Sequence, residues 1–195
     1  MKAMVRDVLT EVSEARRVHD TFVVTGSADV VEWVADLDVQ VIWETSETGE
    51  TDAVHFALDD MKQRGIDAAL VLPGDIPLVR AADVDRVVAE SLAEPTPKSF
   101  AALVPSHDRM GTNALLLTPP DIIRLRFGHD SFCYHLNQMA MKRLPLKIVE
   151  NEHFALDIDE PEDLERLLPQ LESGRTHDRL VAMKDNGSTF FRDVG

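Results

Sequence analysis

Apolar positions along the chain recur in two rhythms. The runs "TFVVTGS", "VQVIWET", "DAALVLPGD", "FAALVPS", "NALLLT" and "LKIVENEHFALDI" are short and apolar, as strands are. Between them, "ADVVEWVADL", "DAVHFALDDMKQRG", "RAADVDRVVAESLAE" and "DSFCYHLNQMAMKRL" carry apolar residues at helical spacing. Strand-like and helix-like segments that alternate in this way predict an α/β fold, a mostly parallel sheet wrapped by helices. The run "AALVLPG" is apolar without alternation, which suits a central strand covered on both faces. One domain over residues 1–173 is expected, followed by a weakly patterned tail over residues 174–195. No internal repeat interrupts the pattern, and "EPTPKS", at Glu94 to Ser99, reads as a connecting loop.

Composition narrows the setting. With 195 residues, 44% of them hydrophobic, the chain can bury one substantial core but not two. Lys and Arg number 20 against 35 Asp and Glu, a net charge of −15, which repels a nucleic-acid backbone. Small anions can bind only through local Arg, Lys and backbone amides, or through a metal. The single cysteine, Cys133, forms no internal disulfide and is expected as a small buried side chain. With no signal peptide and no membrane-length apolar run, a reducing cytoplasm is the expected location.

In an open parallel sheet, ligands gather at the carboxyl ends of the strands. Asp75 follows "AALVLPG" directly, and Pro77 stops that strand from continuing. In "FALDIDEPEDLERLL", Asp157 and Asp159 stand two apart, so on an extended segment they share a face with Cα atoms roughly 7 Å apart. Three carboxylates at strand ends suit a divalent cation that serves a nucleotide. A second reading stays open for each. Asp159 can cap the helix that Pro161 starts, and Asp75 can form an Asx-turn or cap the helix from Ala81. "RMGTNALLL" offers Gly111 for close backbone approach, and Thr112 and Asn113 as hydrogen-bonding side chains, or else a plain turn.

Taken in order, "LVLPGDIPLV", "GTNALLL", "FGHDSFCYHL" and "ALDIDEPEDLERLL" resemble the 2-phospho-L-lactate guanylyltransferases, a family that includes phosphoenolpyruvate and 3-phosphoglycerate users. The resemblance spans roughly Ala3 to Ser173. It implies a Rossmann-like nucleotidyltransferase sheet in a three-layer α/β/α arrangement. It also implies transfer of GMP from GTP to a phosphorylated three-carbon acid, with release of pyrophosphate, in coenzyme F-420 biosynthesis. Asp75, Asp157 and Asp159 would then hold Mg²⁺, while Thr112, Gly128 and Ser131 would grip the acid. No protein nucleophile is needed, because the attacking phosphate is already an anion and positioning carries the reaction. GTP and the small acid are the expected partners, with no nucleic acid and no membrane, and a homodimer is compatible with the pattern.

The start of the chain departs from the family. Relatives begin with a strand and a Gly-, Lys- and Arg-containing loop that cradles phosphates, whereas "MKAMVRDVLTEVSEA" resembles the helix after that loop. In "SETGETDAVHFAL", Glu50, Thr51 and Asp52 replace the apolar and polar residues expected at a base-contacting turn. These departures support a second function class, a non-catalytic binding or regulatory paralogue or an inactive fragment. His55, His135 and His153 lack metal-ligand spacing and read as structural. Arg124, Arg126 and His129 read as surface residues, and Trp33 and Trp43 as packing residues.

Overall fold

Strands form where the apolar runs are, and helices fill the intervals, in a computed structural model that describes residues 1–44, 49–92 and 97–186. In chain order the elements are α1 (Lys2–Glu14), β1 (Phe22–Thr25), α2 (Ala28–Val34), β2 (Gln40–Trp43), α3 (Glu50–Gln63), β3 (Ala69–Val71) and α4 (Ala81–Ser91). They continue with β4 (Phe100–Pro105), β5 (Thr112–Thr118), α5 (Ser131–Met141), β6 (Leu146–Ile148), α6 (Glu152–Ala155), α7 (Pro161–Leu167) and α8 (Arg175–Asp185). The larger sheet has the order β3-β5-β4-β6, and β1 and β2 form a separate parallel pair. β4 runs parallel to β6, while β5 lies antiparallel between β3 and β4. Helix α3 contacts both β1 and β3, and so joins the two sheets.

The larger sheet is covered on both faces, which explains why its strands are apolar without alternation. Phe100, Ala102, Val104, Ala114 and Leu116 point to one side, where Val8 and Val12 of α1 and Val84 and Val87 of α4 pack. Their neighbours Ala101, Leu103, Leu115 and Leu117 point to the other, against Leu58 of α3 and Phe132 and Met139 of α5. The three layers follow from these two cores. Leu103, Leu115 and Leu117 are wholly buried, and each contributes about 1.5–3 kcal/mol through the area it removes from water.

Carboxylates of α1 hold other helices in place. Glu11 accepts a hydrogen bond from the Ala81 N–H at 2.8 Å and caps α4, so Asp75 is not the cap of that helix. Asp7 accepts from the Arg175 and Thr176 N–H groups at 3.1 and 2.7 Å and caps α8. The buried Arg6 donates to both oxygens of Asp36, at 2.6 and 2.7 Å, and ties α1 to the end of α2. No described helix is long and apolar enough to cross a membrane.

Four local expectations are corrected. The long strand expected over 146–158 is only β6, because the polar Asn151 accepts from the His153 N–H and starts α6. The segment after Gly174, expected as a weakly patterned tail, is the helix α8, with Thr176 and Leu180 buried on it. Residues 187–195, and parts of the expected loop at 94–96 and of the turn at 45–48, lie outside the described residues. Cys133 is exposed on the outer side of α5 rather than buried. Trp43 is also exposed, at 49%, so it is not a packing residue.

Candidate active site

The carboxyl ends of β3, β4 and β6 point to one edge of the sheet, and the antiparallel β5 begins there with Thr112. The β3–β5 register pairs Val71 with Leu115; continued, it carries Gly74 to the level of Thr112. Asp75 lies four residues beyond the last residue of β3, past the end of the sheet at which β5 begins with Thr112. The Ile158 N–H donates to the Asp75 carbonyl at 3.0 Å, and this contact brings Asp157 and Asp159, on either side of Ile158, to the same place. They lie on an irregular extended segment rather than in a strand. The cap of α7 is Glu160, which forms a capping box with Asp163, while Asp163 also accepts from the Asp159 N–H. The Asp159 carboxylate is therefore not used as a helix cap.

Charge accumulates at this edge. Burial pushes the Asp75 carboxyl above its ordinary range, and the Asp159 and Asp157 carboxylates push it further. Asp159 is raised by burial first, then by Asp157 and Asp163. Glu50, the first residue of α3, is raised by partial burial and then by Asp75 and Asp159; because the residue is exposed, solvent limits this shift. Glu50, which the sequence marks only as a departure at a base-contacting turn, is thus close enough to feel the charges of Asp75 and Asp159.

Among the described residues, no three His, Cys, Asp or Glu side chains are drawn close enough to ligate one ion. Asp75 Oδ1 is nevertheless buried without a hydrogen-bond partner. An unpaired buried oxygen of this kind costs about 1–3 kcal/mol. A hard divalent cation takes carboxylate oxygens as ligands. The orphaned oxygen and the mutual repulsion of its neighbours therefore fit such an ion.

The residues expected to grip the acid come together on the other flank. Phe132 N–H donates to the Met110 carbonyl at 3.2 Å, which sets the start of α5 beside Gly111 and Thr112. Ser131, the first residue of α5, is 2% exposed, and Thr112 is 6% exposed. Gly128 has φ +85°, a left-handed conformation that strains any residue with a Cβ. The turn it makes is closed by the Ser131 N–H, which donates to the Gly128 carbonyl at 3.2 Å. Asn113 turns away from this flank and donates to the Phe154 carbonyl at 2.8 Å, so it holds the 154–155 segment rather than a ligand.

Several other polar residues have partners within the fold. Thr51 and His55, one turn apart on α3, accept from the Phe127 and Leu125 N–H groups at 3.1 Å each. They fasten that helix to the loop carrying Gly128. His153 Nδ1 bonds Asp83 at 2.6 Å. It lines a polar cleft of about 500 Å³ in which Arg109 pairs with Glu150. Arg124 and Arg126 are exposed, as expected, and Arg126 lies 4.5 Å over the Tyr134 ring.

Comparison with known proteins decides the family. The family described as "Guanylyl transferase CofC like" matches residues 1–184. The chain belongs to that family. Within the wider set of guanylyl transferases, it is 32% identical to the phosphoenolpyruvate guanylyltransferase of Sphaerobacter thermophilus, over 88% of this chain and 80% of that one. It is 29% identical to the 2-phospho-L-lactate guanylyltransferase of Methanothermobacter thermautotrophicus, over 92% of this chain and 75% of the relative. A solved Methanothermobacter nucleotidyl transferase superposes with a TM-score of 0.65 at 20% identity, covering 92% of this chain and 81% of its own. That likeness shows the nucleotidyltransferase fold expected from the motifs.

Proposed function

We propose that this guanylyl transferase moves GMP from GTP onto the phosphate of a phosphorylated three-carbon acid, with release of pyrophosphate, as a step of coenzyme F-420 biosynthesis. The observation that supports the reading is the bond from Ile158 to the Asp75 carbonyl, which sets the two acidic segments side by side. Asp75, Asp157 and Asp159 would hold Mg²⁺. Bound there, the ion would supply charge neutralisation for the triphosphate. Thr112, the Gly128 turn and Ser131 take the acid and aim its phosphate at the α-phosphorus. With no covalent intermediate on the protein, alignment of two bound anions is the main task of these residues.

Pyrophosphate release tests the reading. Purified protein with GTP and Mg²⁺ is expected to release pyrophosphate only when phosphoenolpyruvate, 2-phospho-L-lactate or 3-phosphoglycerate is added, and less with ATP than with GTP. Binding of GTP and acid without any pyrophosphate from all three would favour a non-catalytic paralogue.

A further inference from the structure

His135 is fully buried at 0% exposure, and it touches both β5, at Thr112, and the loop before α5, at Arg126. Its Nε2 faces the Arg126 N–H at 3.2 Å, and its Nδ1 faces Thr112 Oγ1 at 3.0 Å. A backbone amide can only donate, so Nε2 must carry its lone pair. The ring proton then sits on Nδ1 and is donated to Thr112 Oγ1. Burial agrees with this neutral form, because it lowers the His135 pKa to about 4.

The consequence falls on Thr112. A threonine hydroxyl has one proton to give. Its oxygen accepts from His135, and no other hydrogen bond to that hydroxyl is present among the described residues. Its proton is therefore left over for something outside the protein. We propose that His135 is a positioning residue that fixes Thr112 as a hydrogen-bond donor to an anionic oxygen of the acid, and that it does so only while the Arg126 amide of the Gly128 loop is in place. This rests on the reading of Thr112 as an acid-binding residue. The same ring reports the position of the 125–128 loop to Thr112, so loop placement and donor polarity are set by one side chain. Phe127 and Tyr134 hold the ring edge-on at 5.8 and 5.7 Å and restrict its rotation.

Two measurements test the proposal. In the unaltered protein at neutral pH, imidazole ¹⁵N shifts of His135 are expected to show Nδ1 protonated and Nε2 not; the opposite tautomer, or a charged ring, overturns it. The second is a double-mutant cycle on the KM for the acid with His135→Asn, His135→Leu and Thr112→Val. His135→Leu is expected to raise that KM roughly tenfold, leaving the KM for GTP unchanged, with His135→Asn recovering part of the loss through its side-chain N–H. In the Thr112→Val background, the His135 substitutions are expected to add nothing to the KM. Full additivity of the two losses overturns the positioning role while leaving Thr112 as an acid contact. An unchanged acid KM in Thr112→Val alone overturns the acid-site reading itself, whichever tautomer is found.

Discussion

Ile158 donates its backbone N–H to the Asp75 carbonyl at 3.0 Å, so residues 83 positions apart in sequence share one end of the sheet. That single bond fixes the height of Asp157 and Asp159 relative to Asp75. The neutral substitutions Asp75→Asn, Asp157→Asn and Asp159→Asn keep the shape of each side chain and remove its charge. Each is expected to lower kcat on the order of a hundredfold or more, the scale of several kcal/mol lost from charge stabilisation by a metal. Steady-state pyrophosphate release at saturating GTP checks this. In the same variants the rise in melting temperature on adding Mg²⁺ should shrink.

The acid flank predicts a different kinetic pattern. Thr112→Val and Ser131→Ala each delete one hydroxyl without touching the acidic group. The KM for the acid is expected to rise about 3- to 10-fold in each, the cost of one hydrogen bond, while the KM for GTP stays near its original value. Equal losses for both substrates would move these residues out of the acid site.

His135 sets a pH dependence of stability. Its pKa is lowered from the ordinary 6.5 to about 4 by burial first and by the Arg126 charge second. A depressed value favours the neutral ring in the folded state. Its contribution is therefore complete above pH 6.5, declines as the pH falls, and is gone below about 4. The window is worth roughly 3 kcal/mol. Melting curves between those limits should show this decline, and His135→Asn should flatten it.

Capping across the chain predicts a stability effect far from the site. Asp7→Ala removes the acceptor for the Arg175 and Thr176 amides. It is expected to cost about 1 kcal/mol, seen as a lower urea midpoint with little change in kcat. Leu103→Ala, at the wholly buried centre of the sheet, should cost about 2–5 kcal/mol by comparison.

Much of this was legible in the sequence because the residues concerned act locally. Asp75 follows an apolar run that ends at a proline, and Thr112 follows a glycine at the start of another, so position relative to strand ends was enough to single them out. Asp157 and Asp159 could be read as a pair and grouped with Asp75 as residues that end apolar runs, but the Ile158 bond that joins the two segments depends on how the chain folds back after α6. Glu50 stood out only as a departure at a base-contacting turn, because its closeness to Asp75 and Asp159 comes from where α3 begins in space. His135 read only as structural for a similar reason: its partners Thr112 and Arg126 lie at the start of β5 and in the loop before α5, and no spacing rule relates the three. The helix α8 was missed because only Thr176 and Leu180 of it are buried, too few apolar positions to mark a helical face. The short β6 was overestimated because "ENEH" reads as extended until Asn151 is seen to cap a helical turn.

The contact between Asp7 and Arg175 spans 168 residues and encloses every strand of both sheets. A junction that closes so long a loop forms late, since the entropy of closing it is offset only after the intervening strands have paired. Val8 and Val12 of α1 can pack on the sheet before Asp7 finds its partner on α8. Docking of α8 onto α1 is then expected to follow formation of the sheet. Slow exchange of the Arg175 and Thr176 amides with solvent would mark the moment at which that event is complete.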